Sequence, residues 1–326
     1  MARISEPPSK HTAIYIDASY LISGRMLRHL DHVHSQRITQ EVVEEIRTGK
    51  DFRQNAILDN LLSDSPVVNR KLFSSQGVAR TYDYLFSLAS TLHPFLHAKV
   101  SEVLSQDLTI DKKYKRCMEV VDQISRDGSI WRSDHHFFRD HPDVFGETQD
   151  IPAREFHREV KKNLPRAQKS WHKYHRARFE AELKMSYKWT EERIVAAAAT
   201  EALLFAKRAI IMTNDSDFAS VFFQFTNNLI LSHCQDEAVR RGLKPNEFWP
   251  LFYNECARYS KECQSVQEER LPVEKTIEVG KEAGLFGCLC QTSRVGDIIV
   301  YYVSQDGGEF HHYPQWLTQT VLRRTL

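Results

Sequence analysis

Four acidic side chains stand at places where a chain can present them together. Asp17 directly follows the apolar run Thr12-Ala-Ile-Tyr-Ile16. Asp215 and Asp217 follow a second run, Ala209-Ile-Ile-Met212, within Thr213-Asn-Asp-Ser-Asp217. Glu191, with Glu192 beside it, sits in the first turn of an expected helix opening at Thr190. Each has a plain structural reading, since an Asp after a strand commonly caps a helix and a Glu in a first turn complements the helix dipole. As a group they ask for more. Two like charges about 4 Å apart repel by roughly 4 kcal/mol in an effective dielectric of about 20. A hard divalent cation with oxygen ligands is the usual compensation. Held this way, a cation acidifies a bound water and stabilises charge on a scissile phosphate.

The elements that must position these acids can be read from run length and spacing. Thr12–Ile16 and Ala209–Met212 are short, apolar and rich in β-formers, as in strands buried on both faces of a parallel sheet. Residues 18–62 read as helical, with Ile38, Val42, Val43 and Ile46 at helix-like spacing. Residues 76–126 continue helix-rich, although Val78–Tyr84 fits a weak strand as well. Asp127-Gly128, His141-Pro142, Gly146 and Ile151-Pro152 break the pattern over 127–153. The helix from Thr190, with its hydroxyl expected as the cap, continues through an alanine-rich stretch that can lie close to a sheet. A helix over 218–227 and a third strand at Leu229-Ile-Leu231 complete a strand–helix–strand–helix–strand order. That order specifies an α/β fold, a parallel sheet flanked by helices. Beyond a polar helical stretch near 254–270, glycines punctuate β-like runs such as Asp297–Val303, read as a small β-rich C-terminal appendage.

Composition fits this picture. The 326 residues are 41% hydrophobic and 27% charged, the balance of a globular chain. The longest apolar run, Ile194–Phe205, is shorter than the roughly 18 residues of a membrane helix. Residues 1–10 contain no apolar core of a secretory signal, so a cytoplasmic location without membrane association is expected. The six cysteines form no CxxC pair and are expected to be reduced, mostly buried thiols. The 15 histidines include no HExxH, which leaves no indicated zinc site; His135 and His136 are at most accessory phosphate ligands. Net charge is only +1, yet residues 151–190 hold eleven Lys or Arg against four Glu. Lys161, Lys162, Arg166, Lys169, Lys173, Arg176 and Arg178, interleaved with Trp171 and Tyr174, could neutralise phosphates and stack on unpaired bases. A solvated helix face is the competing account.

Tyr15-Ile-Asp17-Ala-Ser-Tyr-Leu21-Ile-Ser-Gly24 resembles the opening motif of NYN domains, a branch of the PIN-like nucleases. Lys188-Trp-Thr190-Glu191, the alanine helix, and Ile210-Ile-Met-Thr-Asn-Asp215-Ser-Asp217-Phe218 are similar to the second half of that family. The resemblance spans roughly residues 12–30 and 186–232. It implies a PIN/NYN-like domain over 12–253 after a tail at 1–11, with a helical insertion over about 31–187. Residues 254–326 would follow as a helical linker and the β-rich region. It also implies catalytic, metal-binding acids at Asp17, Glu191, Asp215 and Asp217, with Glu192 a rival ligand for Mg²⁺ or Mn²⁺. The implied activity is metal-dependent hydrolysis of a phosphodiester backbone, with RNA as the partner and homo-oligomerisation left open. The family's Asn falls on Tyr20 and its helix-start Asp on Glu191, departures that favour an alternative, a non-catalytic nucleic-acid- or protein-binding module. Glu201, also at an often acidic family position, lies about 280° round the helix from Glu191 and need not face the group. A HAD-like phosphatase would want Asp-x-Asp after the first strand, and Asp17 is followed by Ala18-Ser19.

Overall fold

Two five-residue runs form the centre of the sheet. In the computed structural model, Thr12–Ile16 (β1) and Arg208–Met212 (β4) are parallel neighbours in register, Ile16 opposite Met212. The structure describes residues 12–22, 36–48, 67–68, 75–92, 96, 99–100, 102–103, 105–127, 173–175, 177–178, 181, 187–205, 208–213, 215, 217–248, 250–262, 297–304 and 307–326. Gln36–Thr39 (β2) and Val67–Val68 (β3) extend the sheet on one side of β1, and Ile298–Ser304 (β5) with Gly307–Tyr313 (β6) on the far side of β4. The order is β3-β2-β1-β4-β5-β6, parallel except for the antiparallel β5–β6 pair. The expected α/β class and parallel sheet are therefore present.

Several local expectations give way. Residues 18–62 are not uniformly helical: Ala18–Ile22 (α1) and Gln40–Thr48 (α2) flank β2. Strands of four and two residues are too short for alternation to register, so β2 and β3 were hidden inside the stretch expected as a helical insertion. Residues 76–90 form one helix, α3 (Gln76–Ser90), followed by α4 (Ile110–Asp127). Leu229–Leu231 is no strand but lies within the 25-residue helix Asp217–Arg241 (α6). A short apolar run has no period of its own, and here the helix continues to a stop signal beyond it. Gly242 (φ 64) provides that stop, with the Gly242 amide donating to Val239 O and the Leu243 amide to Ala238 O, the paired bonds of a Schellman end. The C-terminal β-rich residues are not an appendage either. Four registered pairs between β4 and β5 make them part of the main sheet.

The chain divides into two compact units, one from residues 1–90, 189–218 and 260–326, the other from 91–188 and 219–259. In the first unit Thr190–Phe205 (α5) packs on the sheet and α3, while Gln315–Thr325 (α7) packs on α3. Ile194, Val195, four consecutive alanines and Ala202 are all buried, so α5 has no solvated stripe and its small side chains sit close to the strands. Among its buried polar groups, Thr200 Oγ1 donates to Ala196 O at 2.7 Å. Glu201 accepts from Tyr15 Oη at 2.9 Å and pairs with Arg37 Nε at 3.5 Å, joining α5, β1 and β2. Burial, then the Glu201 carboxylate, pushes the Tyr15 hydroxyl pKa well up. Removing the acceptor should strand the buried Tyr15 hydroxyl, so Glu201→Ala is expected to lower stability by about 2 kcal/mol in urea unfolding. Glu201→Gln, still an acceptor for Tyr15, should lose less.

The second unit has its own core. Leu96, Val100, Val103 and Cys117 cluster with Leu92, Val120 and Phe223. Asn228 Nδ2 donates to Thr91 O at 2.9 Å. Cys117 and Cys234 are buried and Cys256 is half-buried, all free thiols, as expected for the cysteines that fall among the described residues. No helix among the described residues is long and apolar enough to cross a membrane.

Candidate active site

The sheet order places the acids. From β1 the chain runs outward to β2 and β3, then returns to β4 on the other flank of β1, so the strand order reverses between β1 and β4. In open α/β sheets, ligands bind at the carboxyl ends of the strands at such a switch point, where successive loops part. Because Ile16 and Met212 are register partners, Asp17 and Thr213 leave the sheet side by side, and the Asp17 amide still donates to Met212 O at 3.0 Å.

One hydroxyl then ties the two strand ends. Thr213 Oγ1 donates to Asp17 Oδ2 at 2.8 Å and accepts from the Asp215 amide at 2.8 Å. Ser19 Oγ donates to the same Asp17 oxygen and lies 3.2 Å from Thr213 Oγ1. Asp17 and Asp215, nearly two hundred residues apart in sequence, therefore share one rim. Asp217 joins through its backbone: its amide donates to Asp215 Oδ1 at 3.0 Å, an Asx turn leading into α6. The capping reading of Asp215 is thus realised in one oxygen, while its side chain remains half-buried.

Glu191 enters from α5. Its carboxyl pKa is raised well above the ordinary value, first by desolvation, then by the carboxylates of Glu192, Asp17 and Asp215. Asp17, 4% exposed, is raised to about 6 by burial, against the lowering effect of the Ser19 and Thr213 hydroxyls, with Glu45 and Asp215 adding to the rise. Glu192 is fully buried, about 100° round the helix from Glu191, which is partly buried. Among the described residues, no three His, Cys, Asp or Glu side chains form a ready metal cage. The donor chemistry nevertheless fits a hard dication, which takes oxygen ligands, and Mg²⁺ commonly holds only one or two carboxylates with waters completing its shell.

Compared with known proteins, the chain matches no family model, no curated sequence and no solved structure. The chemistry of this rim rests on its own residues.

The structure adds one acid that sequence reading missed. Glu45, on α2, accepts from Thr190 Oγ1 at 3.3 Å and contributes to the field on Asp17. Its signal was weak but present: with Val42, Val43 and Ile46 buried, Glu45 falls at the margin of the inward face while Glu44 is exposed. The same bond corrects the expected cap of α5. The Thr190 hydroxyl serves Glu45, and the helix is instead opened by the Trp189 carbonyl, which accepts from the Arg193 amide at 3.0 Å. Glu201 lies in the Tyr15–Arg37 network away from these contacts. Tyr20 is buried, its amide donating to Asp17 O at 3.1 Å.

The basic stretch fares unevenly. Lys173 is exposed and can meet an anion. Arg178 is only 3% exposed, donates to Gln224 Oε1 at 3.3 Å and lies over the Tyr187 ring, so it is a structural cation of the second unit and not a substrate contact. Tyr174, once a stacking candidate, is likewise buried. Lys161, Lys162, Arg166, Lys169, Arg176 and Trp171 lie outside the described residues, as do His135 and His136. At the opposite end of β5, His312 Nε2 lies 2.9 Å from Asp297 Oδ2, a buried pair remote from the acidic rim.

Proposed function

We propose that the rim formed by Asp17, Glu191, Asp215 and Asp217 binds Mg²⁺ or Mn²⁺ and hydrolyses a phosphodiester backbone, that of RNA, on a PIN/NYN-like scaffold. The observation that carries this reading is the Thr213 hydroxyl bridging Asp17 to the Asp215 amide at the switch point of the sheet. RNA as substrate rests on the sequence resemblance. Asp17, Asp215 and Glu191 would hold the ion, and Asp217 would order water beside it. When bound, the ion supplies positive charge to the scissile phosphate and acidifies a water. The residues do the rest. Ser19 and Thr213 fix Asp17 Oδ2, leaving Oδ1 outside that pair of bonds. Burial of Asp17 strengthens every charge interaction at the rim, because little water remains to screen it.

The test is direct. Purified protein is incubated with RNA and DNA pools in Mg²⁺ or Mn²⁺, with and without EDTA. The expected result is RNA cleavage that needs the ion and that Asp215→Asn reduces on the order of 10³-fold, with the circular dichroism spectrum preserved. Binding of RNA with steep salt dependence but no cleavage would instead support a binding module, a reading that the local Asx-turn role of Asp215 favours.

A further inference from the structure

Among the described residues, Trp189 is the only non-glycine residue with positive φ, at 59°. A bulky side chain avoids the left-handed region, where its Cβ crowds the following carbonyl. Such an outlier persists only where surrounding contacts over-determine it, and its position is then informative. Here it immediately precedes Thr190 and Glu191. The Trp189 ring packs edge-on against Phe86 of α3, centroids 6.1 Å apart. Phe86 is in turn covered by the Arg193 guanidinium at 4.6 Å, and Arg193 pairs with Glu41 of α2 at 3.1 Å. The Trp189 carbonyl accepts the first hydrogen bond of α5, and the next residue, Thr190, bonds Glu45. Consecutive residues thus reach different surroundings, Trp189 packing on α3 and Thr190 bonding α2, with Glu191 next in the first turn of α5.

We infer that Trp189 is a positioning residue, whose clamped left-handed turn sets where α5 begins and so turns Glu191 toward Asp17 and Asp215. An ordinary right-handed or extended residue at 189 would admit the chain to the helix from another direction, and Glu191, two residues on, would rotate with it. The ring is the clamp and the turn is the device. The consequence for ion binding rests on the function proposed above; the geometric claim does not, and the two are separated by using two readouts.

The first readout needs no activity. In EDTA, Glu191→Gln relieves an acid crowded by Asp17, Asp215 and Glu192, and is expected to raise Tm by about 2–4 °C. In a Trp189→Ala background, which keeps a Cβ but loses the clamp, that gain should fall to less than half; in Trp189→Gly, which accepts the turn without steric cost, most of it should return. Phe86→Leu, which loosens the clamp with Trp189 in place, substitutes for Trp189→Ala should that variant not fold. The second readout is Mn²⁺ affinity by calorimetry: Trp189→Ala should weaken it about tenfold, as loss of a residue supporting a ligand does, with partial rescue by Trp189→Gly. An undiminished Tm gain from Glu191→Gln in the Ala or Leu background overturns the inference, as does a Gly variant that behaves like Ala. Wild-type protein that binds no Mn²⁺ defeats the nuclease reading alone, and the Tm cycle still decides the role of Trp189.

Discussion

Asp17→Asn is expected to abolish RNA cleavage and to stabilise the protein at the same time. The activity loss should be on the order of 10³-fold, since an amide keeps the two hydroxyl bonds at Oδ2 but withdraws the charge that would hold the cation. The stability gain follows from burial. Folding raises the Asp17 pKa from an ordinary 3.8 to about 6, chiefly by desolvation, so at neutral pH the folded protein holds an ionised carboxylate it would sooner protonate. At 1.36 kcal/mol per unit, the isostere should recover about 2 kcal/mol, the remainder being offset by weaker bonds from Ser19 and Thr213 to a neutral acceptor. The measurement is a paired one: cleavage rate, and urea unfolding at pH 7.5 in EDTA. A variant that loses activity because it is less stable would argue that Asp17 is a structural residue. Opposite signs on the two axes are what a functional, energetically costly acid produces.

Without metal, stability should fall as pH rises from about 4 to 6, contrary to the behaviour of ordinary paired carboxylates. The sign follows from proton counting. Asp17 and Glu191 both have folded pKa values above their unfolded ones. Between the unfolded and folded values the native state binds more protons, and stability declines with rising pH until the folded pKa is passed. For Asp17 alone the decline approaches about 3 kcal/mol, complete above pH 6. Glu237 bounds the window from below. Its hydrogen bonds from Arg240 and Arg241 lower its pKa, so its contribution is lost on acidification. Saturating Mn²⁺ should flatten the decline, because a ligand that binds only the deprotonated rim stabilises by mass action where the apo protein is weakest. Thermal unfolding from pH 4 to 8, with EDTA or with Mn²⁺, measures both curves. A metal-independent slope would mean that the carboxylates do not meet around an ion.

Much of this architecture is written locally. Thr12–Ile16, Arg208–Met212 and the strand at 298–304 announce themselves as short apolar runs, and the alanine-rich helix from Thr190 by its composition. So do the positions of Asp17, Glu191, Asp215 and Asp217 at the ends of those elements, because an acid after a run of strand formers needs no knowledge of neighbours to be noticed. Where local pattern fell short, elements were too brief or too uniformly buried to show a period. The four residues of β2 read as helix, and Leu229–Leu231, an apolar run within a long helix, reads as a strand. Glu45 carries only a weak local signal, its place at the margin of the inward face of α2.

What tertiary structure alone decided is adjacency. No local signal states that β1 lies between β2 and β4, that Ile16 is level with Met212, or that β5 extends the sheet beyond β4 and does not form a separate appendage. Those choices are made by burial summed over segments far apart in the chain. They determine that the Thr213 hydroxyl reaches Asp17, that Arg178 is spent on Gln224 and Tyr187, and that Trp189 is held in a conformation its own chemistry disfavours. Residue type established which chemistry was available; packing established which residues meet to perform it.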